Sequence, residues 1–285
     1  MARPCKTAAS PAAAFARALV AAARAASGPL LAFAAVYLVA VWTPFGQRAE
    51  NALVAGYADG AWMADASQSW GPPPLTHDLE TIAVGLTVIA SIATTRRRWL
   101  VGCTAIVAAL GPIAASQVLK NVLLLRPDLV GADDNLVEVS FPSGHVTLTA
   151  ALVAGVALVA SERRRPVLAA VGAAWLAMTA GAVQALYWHR PSDVFGATLL
   201  ACASYCAAHR FLHPGSRPSV PRPRAWTALL LAAASAVAGA GREGAVAGPL
   251  VFSSSAWICA ALLWIVLTRA EAAPPRLPRP AVERR

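Results

Sequence analysis

A histidine and an aspartate stand about one helical turn apart in His189-Arg190-Pro191-Ser192-Asp193. A carboxylate at that spacing can orient an imidazole and stabilise its positive charge, leaving the second ring nitrogen to attack an electrophile such as phosphorus. Pro191 suits the first turn of a helix, so the stretch equally suits an interfacial histidine followed by a capping aspartate. Upstream, Pro142-Ser143-Gly144-His145 sets small residues and free backbone N–H groups where a helix would begin. The positive end of a helix dipole favours an anion there. Ser143 can cap the helix or donate to the anion, and Gly144 lets the backbone approach closely. Taken alone, Pro-Ser-Gly is also ordinary punctuation before a helix. Lys120 is one of only two lysines among 24 basic residues and closes an apolar stretch. Either it snorkels to an interface, or it joins Arg126 in neutralising a phosphoryl group in flight. Pro127 disfavours helical geometry at Arg126, which turns that side chain out of the helix and toward the same place.

The elements that must hold these groups are apolar. Hydrophobic residues make up 58% of the 285, charged residues only 13%, and the mean hydropathy is +0.56. Soluble domains carry about a quarter charged residues, so the composition points to an all-α, polytopic membrane helix bundle. Eight apolar segments fall at roughly 28–45, 79–95, 99–119, 145–160, 166–187, 192–209, 225–241 and 245–268, of which 79–95 and 145–160 are short and depend on small or polar residues at their ends to span a bilayer's hydrocarbon core. Arg17 and Arg24 interrupt the Ala-rich start, so 1–27 reads as a cytoplasmic segment before an uncleaved signal anchor. The Pro/Arg-rich stretch 211–224 reads as a cytoplasmic linker. It divides a six-helix core, 28–210, from a helix pair, 225–268, and a cytoplasmic tail, 269–285. Trp62 and Trp70, in the long segment 46–78, suit a lipid–water boundary.

Arginine placement gives an orientation. With the N-terminus in the cytoplasm and the helices alternating, 19 of the 24 basic residues fall inside, among them Arg96–Arg98 and Arg163–Arg165. Lys120, Arg126 and Arg190 are among the five left outside. The three polar groups therefore share the non-cytoplasmic face, although the orientation was assigned without them. The net charge of +10 is spent on topology, which argues against nucleic acid as a partner. Cys103, Cys202, Cys206 and Cys259 lie in apolar segments and form no metal-ligand pattern.

The order Lys120, Arg126-Pro127, Pro142-Ser143-Gly144-His145, His189-x-x-x-Asp193 resembles the type 2 phosphatidic acid phosphatase superfamily of membrane lipid phosphatases. The resemblance covers roughly residues 79–209, and the superfamily shares its site with vanadium haloperoxidases. It implies that His189 is the nucleophile forming a phosphohistidine, held by Asp193. It implies His145 as the acid that protonates the leaving oxygen and later helps activate water. Lys120, Arg126, Ser143 and the Gly144 amide would hold the phosphate, with no metal ion or other cofactor. Two departures stand out. Five residues rather than six separate Lys120 from Arg126-Pro127, and the family's Ser-Arg is replaced by Ala182 and Val183. Gln184 or Arg190 is the candidate substitute for the missing arginine. The expected activity is hydrolysis of a lipid phosphomonoester or diphosphate, polyprenyl or glycerolipid, with the bilayer as partner. Phosphotransfer to another hydroxyl is the alternative within enzymes. Outside them stands a lipid-phosphate binder or transporter, although a transporter should carry polar residues at mid-membrane depth.

Overall fold

In a computed structural model of the chain, the described residues are 10–54, 72, 74–213, 217–218, 230, 247–268 and 271–272. Trp62, Trp70 and nearly all of the expected helix at 225–241 and of the C-terminal tail lie outside them. The fold is all-α. In chain order come α1 (Pro11–Val41), α2 (Pro44–Val54), α3 (Asp78–Thr95) and α4 (Trp99–Val118), the last continued by a π-helical turn, Leu119–Leu123. There follow a short α5 (Asp134–Val137), then α6 (Gly144–Val159), α7 (Arg165–Ala185), α8 (Pro191–Leu212) and α9 (Ala247–Thr268). A two-residue antiparallel pairing joins Arg217-Pro218 to Glu271-Ala272.

Five of these helices are long and apolar enough to cross a membrane: α1, α3, α4 with its π turn, α7 and α9. α6 is shorter, at 16 residues, and it is the centre of the bundle. All but three of its residues are buried, against α3, α4, α7 and α8. Between lipid-embedded helices there is no hydrophobic driving force, so association depends on close packing across small residues. Those residues are present at each seam. Gly155 lies against Ile89 and Ala109, Gly172 against Val153, and Gly85 against Leu152. Large apolar side chains such as Leu31, Val84, Val107 and Val171 face outward, as a lipid-exposed surface requires.

α1 begins at Pro11 rather than at 28, so Arg17 and Arg24 lie within the helix. Alanine, the strongest helix former, carries this stretch. Ser10 caps it, accepting the Ala13 N–H at 3.2 Å, and Pro11 occupies the first turn. Ala18, Ala22 and Ala26 recur at four-residue spacing as buried positions, and α1 makes its most extensive packing with α8. Phe15 meets Phe211 edge-on, with ring centres 5.9 Å apart, at one end of that pair.

That end also carries Arg96–Arg98 and Arg163–Arg165. Arg96 donates to the Val159 carbonyl at 2.6 Å, and Arg165 to the Ala157 carbonyl at 3.1 Å. The opposite end gathers the C-terminus of α1, all of α2, the π turn and the starts of α3, α6 and α8. The polar motifs lie there. α9 packs chiefly on α7 and also on α8.

Candidate active site

α7 ends with a backbone geometry that delivers His189. The Tyr187 N–H bonds the Gln184 carbonyl and the Trp188 N–H bonds the Val183 carbonyl, closing a Schellman turn. Tyr187, at φ 57°, takes the left-handed position that glycine usually fills. The chain then reverses, and Arg190 and Pro191 start α8. His189 Nδ1 lies 3.1 Å from Asp193 Oδ2, and the same oxygen accepts the Arg190 N–H at 2.9 Å. Asp193 is fully buried, and its Oδ2 is held by these two contacts. With Nδ1 committed to the carboxylate, Nε2 is the ring nitrogen left for chemistry.

The Pro-Ser-Gly-His turn is tied directly to this dyad. The Ser143 N–H donates to the Asp193 carbonyl at 3.1 Å. Ser143 caps α6, accepting the Val146 N–H at 3.5 Å, and is fully buried. Gly144 lies against Gln117 of α4, whose Nε2 a Cβ would meet at 3.0 Å. His145 follows, its ring centre 6.4 Å from that of His189 and 5.7 Å from that of Trp188. Asp78, at the start of α3, lies 3.9 Å from His145 Nε2, an ion-pair distance rather than a hydrogen bond.

Lys120 sits half-buried on the π turn, within electrostatic reach of His145. π turns recur at functional sites, and this one falls where the Lys-to-Arg spacing is one residue short. Arg126 is buried and donates to Asn51 Oδ1 at 3.1 Å. Burial, with Arg190 nearby, holds its guanidinium pKa below the usual arginine value, while Glu50 and Asp193 pull the other way. Arg190 is buried too, donating to Ser140 Oγ at 2.9 Å and to the Leu136 carbonyl at 2.7 Å. Among the described residues, four buried atoms of this group have no hydrogen-bond partner: Arg126 Nη1, Arg190 Nε, His145 Nδ1 and Asp193 Oδ1.

The two candidate substitutes for the missing arginine part company. Arg190 belongs to the His189 cluster. Gln184 is buried on the α9 side, where its Oε1 accepts from Ser255 Oγ at 2.7 Å and its Nε2 donates to the Ala180 carbonyl at 2.8 Å. Gln184 thus ties α7 to α9. Val183, where the family's arginine is expected, is fully buried.

α2 supplies residues that the motifs did not reveal. Thr43 opens it, accepting the Gly46 N–H at 3.0 Å, and Gly46 passes so close to Val39 and Ala40 that a side chain there would overlap backbone. Gln47, Glu50, Asn51 and Val54 then share one buried face. Gln47 donates to the carbonyls of Val41 and Pro127 and accepts the Leu129 N–H at 3.1 Å. Glu50 accepts both the Ser192 N–H, at 2.9 Å, and the Ser192 hydroxyl, at 3.0 Å. Burial pushes the Glu50 carboxyl up to about 7, helped by nearby Asp193 and opposed by the Ser192 donors and Arg126. The only hint in the sequence was the spacing of these polar residues, at i, i+3 and i+4 behind Thr43-Pro44. Among the described residues no three His, Cys, Asp or Glu side chains gather to hold a metal ion.

Neither a curated protein nor a solved structure matches the chain. Residues 97–217 match the model of the PAP2 superfamily, whose members are typically phosphoesterases. The match includes α4, α6, α7 and α8, and leaves out α1, α2 and α3 before it and α9 after it. That stretch holds His145, His189, Asp193 and the three cations around them, so the part of the chain that carries the candidate site is the part similar to the PAP2 superfamily.

Proposed function

We propose that the protein is an integral membrane phosphatase that hydrolyses a lipid phosphomonoester or diphosphate, polyprenyl or glycerolipid, through a phosphohistidine. One observation carries the reading: the His189–Asp193 pair faces His145 amid buried, unpartnered donors of Arg126 and Arg190. Buried polar groups are ordinarily satisfied, and a phosphoryl oxygen is an acceptor of matching chemistry.

In the first step His189 Nε2 attacks phosphorus and the P–O bond to the lipid breaks. The electron pair leaves with that oxygen, which takes a proton from His145. Asp193 stabilises the imidazolium that forms. Water then attacks phosphorus while His145 accepts its proton, and the P–N bond breaks with its electron pair returning to His189 Nε2, leaving orthophosphate as product. Lys120, Arg126 and Arg190, with the Ser143 hydroxyl and the Gly144 amide, hold the equatorial oxygens. Arg190 stands in for the missing arginine, as its place in the cluster favours. The arginine distribution supports a site on the non-cytoplasmic face with the N-terminus inside.

Phosphate release from polyprenyl diphosphate, polyprenyl monophosphate, phosphatidic acid and phosphatidylglycerol phosphate, measured in detergent with EDTA present, tests this. The expected result is release from at least one lipid that survives EDTA and disappears in His189→Ala. Release that EDTA abolishes, or that His189→Ala retains, would overturn the phosphohistidine route.

A further inference from the structure

We propose that Glu50 is a positioning residue of the phosphate site, fixing the start of α8, and with it the His189–Asp193 pair, through both hydrogens of Ser192. This rests on the phosphatase reading above and deepens it, because Glu50 lies outside the stretch that matches the superfamily.

The geometry makes Glu50 unlike a surface acid. Its carboxylate is buried beside the buried Asp193, an arrangement that two negative charges disfavour. It persists because one oxygen accepts the Ser192 amide and the other the Ser192 hydroxyl. Ser192 immediately precedes Asp193, and the Asp193 carbonyl in turn accepts the Ser143 amide. One carboxylate therefore holds the backbone from which both the dyad and the Pro-Ser-Gly-His turn are hung. From the next position on α2, Asn51 accepts from Arg126. The brace thus sets the nucleophile through Glu50 and a phosphate-facing cation through Asn51. The elevated pKa of Glu50 fits a group that holds Ser192 in either protonation state. When protonated, its oxygen still accepts the amide, and its own O–H can donate to the Ser192 hydroxyl.

The chemistry separates positioning from simple stability. Glu50→Gln keeps one acceptor for the Ser192 N–H and gains a donor toward the Ser192 hydroxyl, so it preserves the brace. Glu50→Ala removes it. Misplacing a nucleophile by about 1 Å costs on the order of 10²-fold in rate. Asn51→Ala should act instead on KM, since it frees a cation that binds the phosphate in ground and transition states alike.

The test compares wild type, Glu50→Ala, Glu50→Gln, Asn51→Ala and Ser192→Ala as monodisperse full-length protein in detergent, by kcat and KM and by competition with orthovanadate. The expected result is a kcat roughly 10- to 100-fold lower for Glu50→Ala. Glu50→Gln should stay within about threefold of wild type, the scale of one exchanged hydrogen bond. Should Glu50→Ala not fold, Glu50→Gln and Ser192→Ala decide: the first near wild type and the second reduced in kcat supports the brace. Wild-type kcat in Glu50→Ala or Ser192→Ala, or a Glu50→Gln as impaired as the alanine variant, would overturn it while leaving the phosphatase reading intact. If wild type releases no phosphate from any lipid yet binds orthovanadate, hydrolysis falls and the brace is judged by vanadate affinity, weakened in Glu50→Ala and retained in Glu50→Gln. Absence of both release and binding would overturn the phosphate site and the brace together.

Discussion

At the scale of single residues, the two candidate substitutes for the missing arginine do different work. Arg190 spreads its guanidinium over Ser140 and Leu136 and keeps a buried, unpartnered Nε. A lysine cannot reproduce that fork. Arg190→Lys should lower kcat/KM by roughly tenfold or more, the scale of one lost hydrogen bond to a charged group. Gln184→Ala should leave KM unchanged and lower the denaturation midpoint, because its loss frees the link to Ser255. A raised KM in Gln184→Ala would return that residue to the site. Glu50 adds a pH signature. Its carboxyl is raised from 4.5 to about 7 on folding. Between those values the folded state holds a proton that the unfolded state has released, so the group's contribution, complete below pH 4.5, is lost as pH rises to 7. At about 1.4 kcal/mol per unit the loss is about 3 kcal/mol. The midpoint of Glu50→Gln relative to wild type should therefore climb across that window and level off above it, read by thermal denaturation in detergent. A flat difference would mean that Glu50 is ionised throughout. His145, His189 and Asp193 were legible because each stood in a dense motif of rare residue types. Glu50 was not, since nothing marks a lone glutamate that acts through a distant backbone amide.

At the scale of elements, the bundle depends on positions where a side chain has no room. A Cβ at Gly196 of α8 would overlap the Phe141 ring. That ring cannot yield freely, being packed against Phe33 at 5.1 Å and Tyr37 at 5.3 Å between ring centres. Phe141 also immediately precedes Pro142 and Ser143, so displacing it moves the start of α6. Gly196→Ala should cost about 1–3 kcal/mol and lower kcat, whereas Gly28→Ala, with open space around it in α1, should be neutral or slightly stabilising. Equal behaviour of the two would mean that the Phe141 seam tolerates repacking. The long helices were legible because apolar length is itself the signal, and α3, α4 and α7 begin and end within a residue or two of expectation. Two elements were hidden for opposite reasons. Arg17 and Arg24 broke the apolar run of α1, although alanine kept it helical. α2 is too polar to register as a span and owes its place to hydrogen bonds with residues far along the chain, which periodicity does not report.

At the scale of the whole molecule, the chemistry and the arginine clusters occupy opposite ends of the same bundle. Arg96 and Arg165 bond the last turns of α6 at one end, while Ser143 opens that helix against Asp193 at the other. This separation makes the orientation testable through a single pair of exposed positions. With the native cysteines replaced by alanine, Asp133→Cys lies in the loop at the polar end and Arg164→Cys at the arginine end, both exposed. The positive-inside rule then expects a membrane-impermeant maleimide to label Asp133→Cys in intact cells and Arg164→Cys only after permeabilisation. The consequence reaches the substrate. A lipid phosphate reaches such a site by diffusing sideways within one leaflet, since crossing the hydrocarbon with its charge is costly. Labelling in the expected order places the accessible lipid in the non-cytoplasmic leaflet, and phosphate released there leaves on that side. The reverse order would put the His189 centre on the cytoplasmic face. The arginines at the other end would then need an explanation other than topology, and the substrate would be a lipid of the inner leaflet.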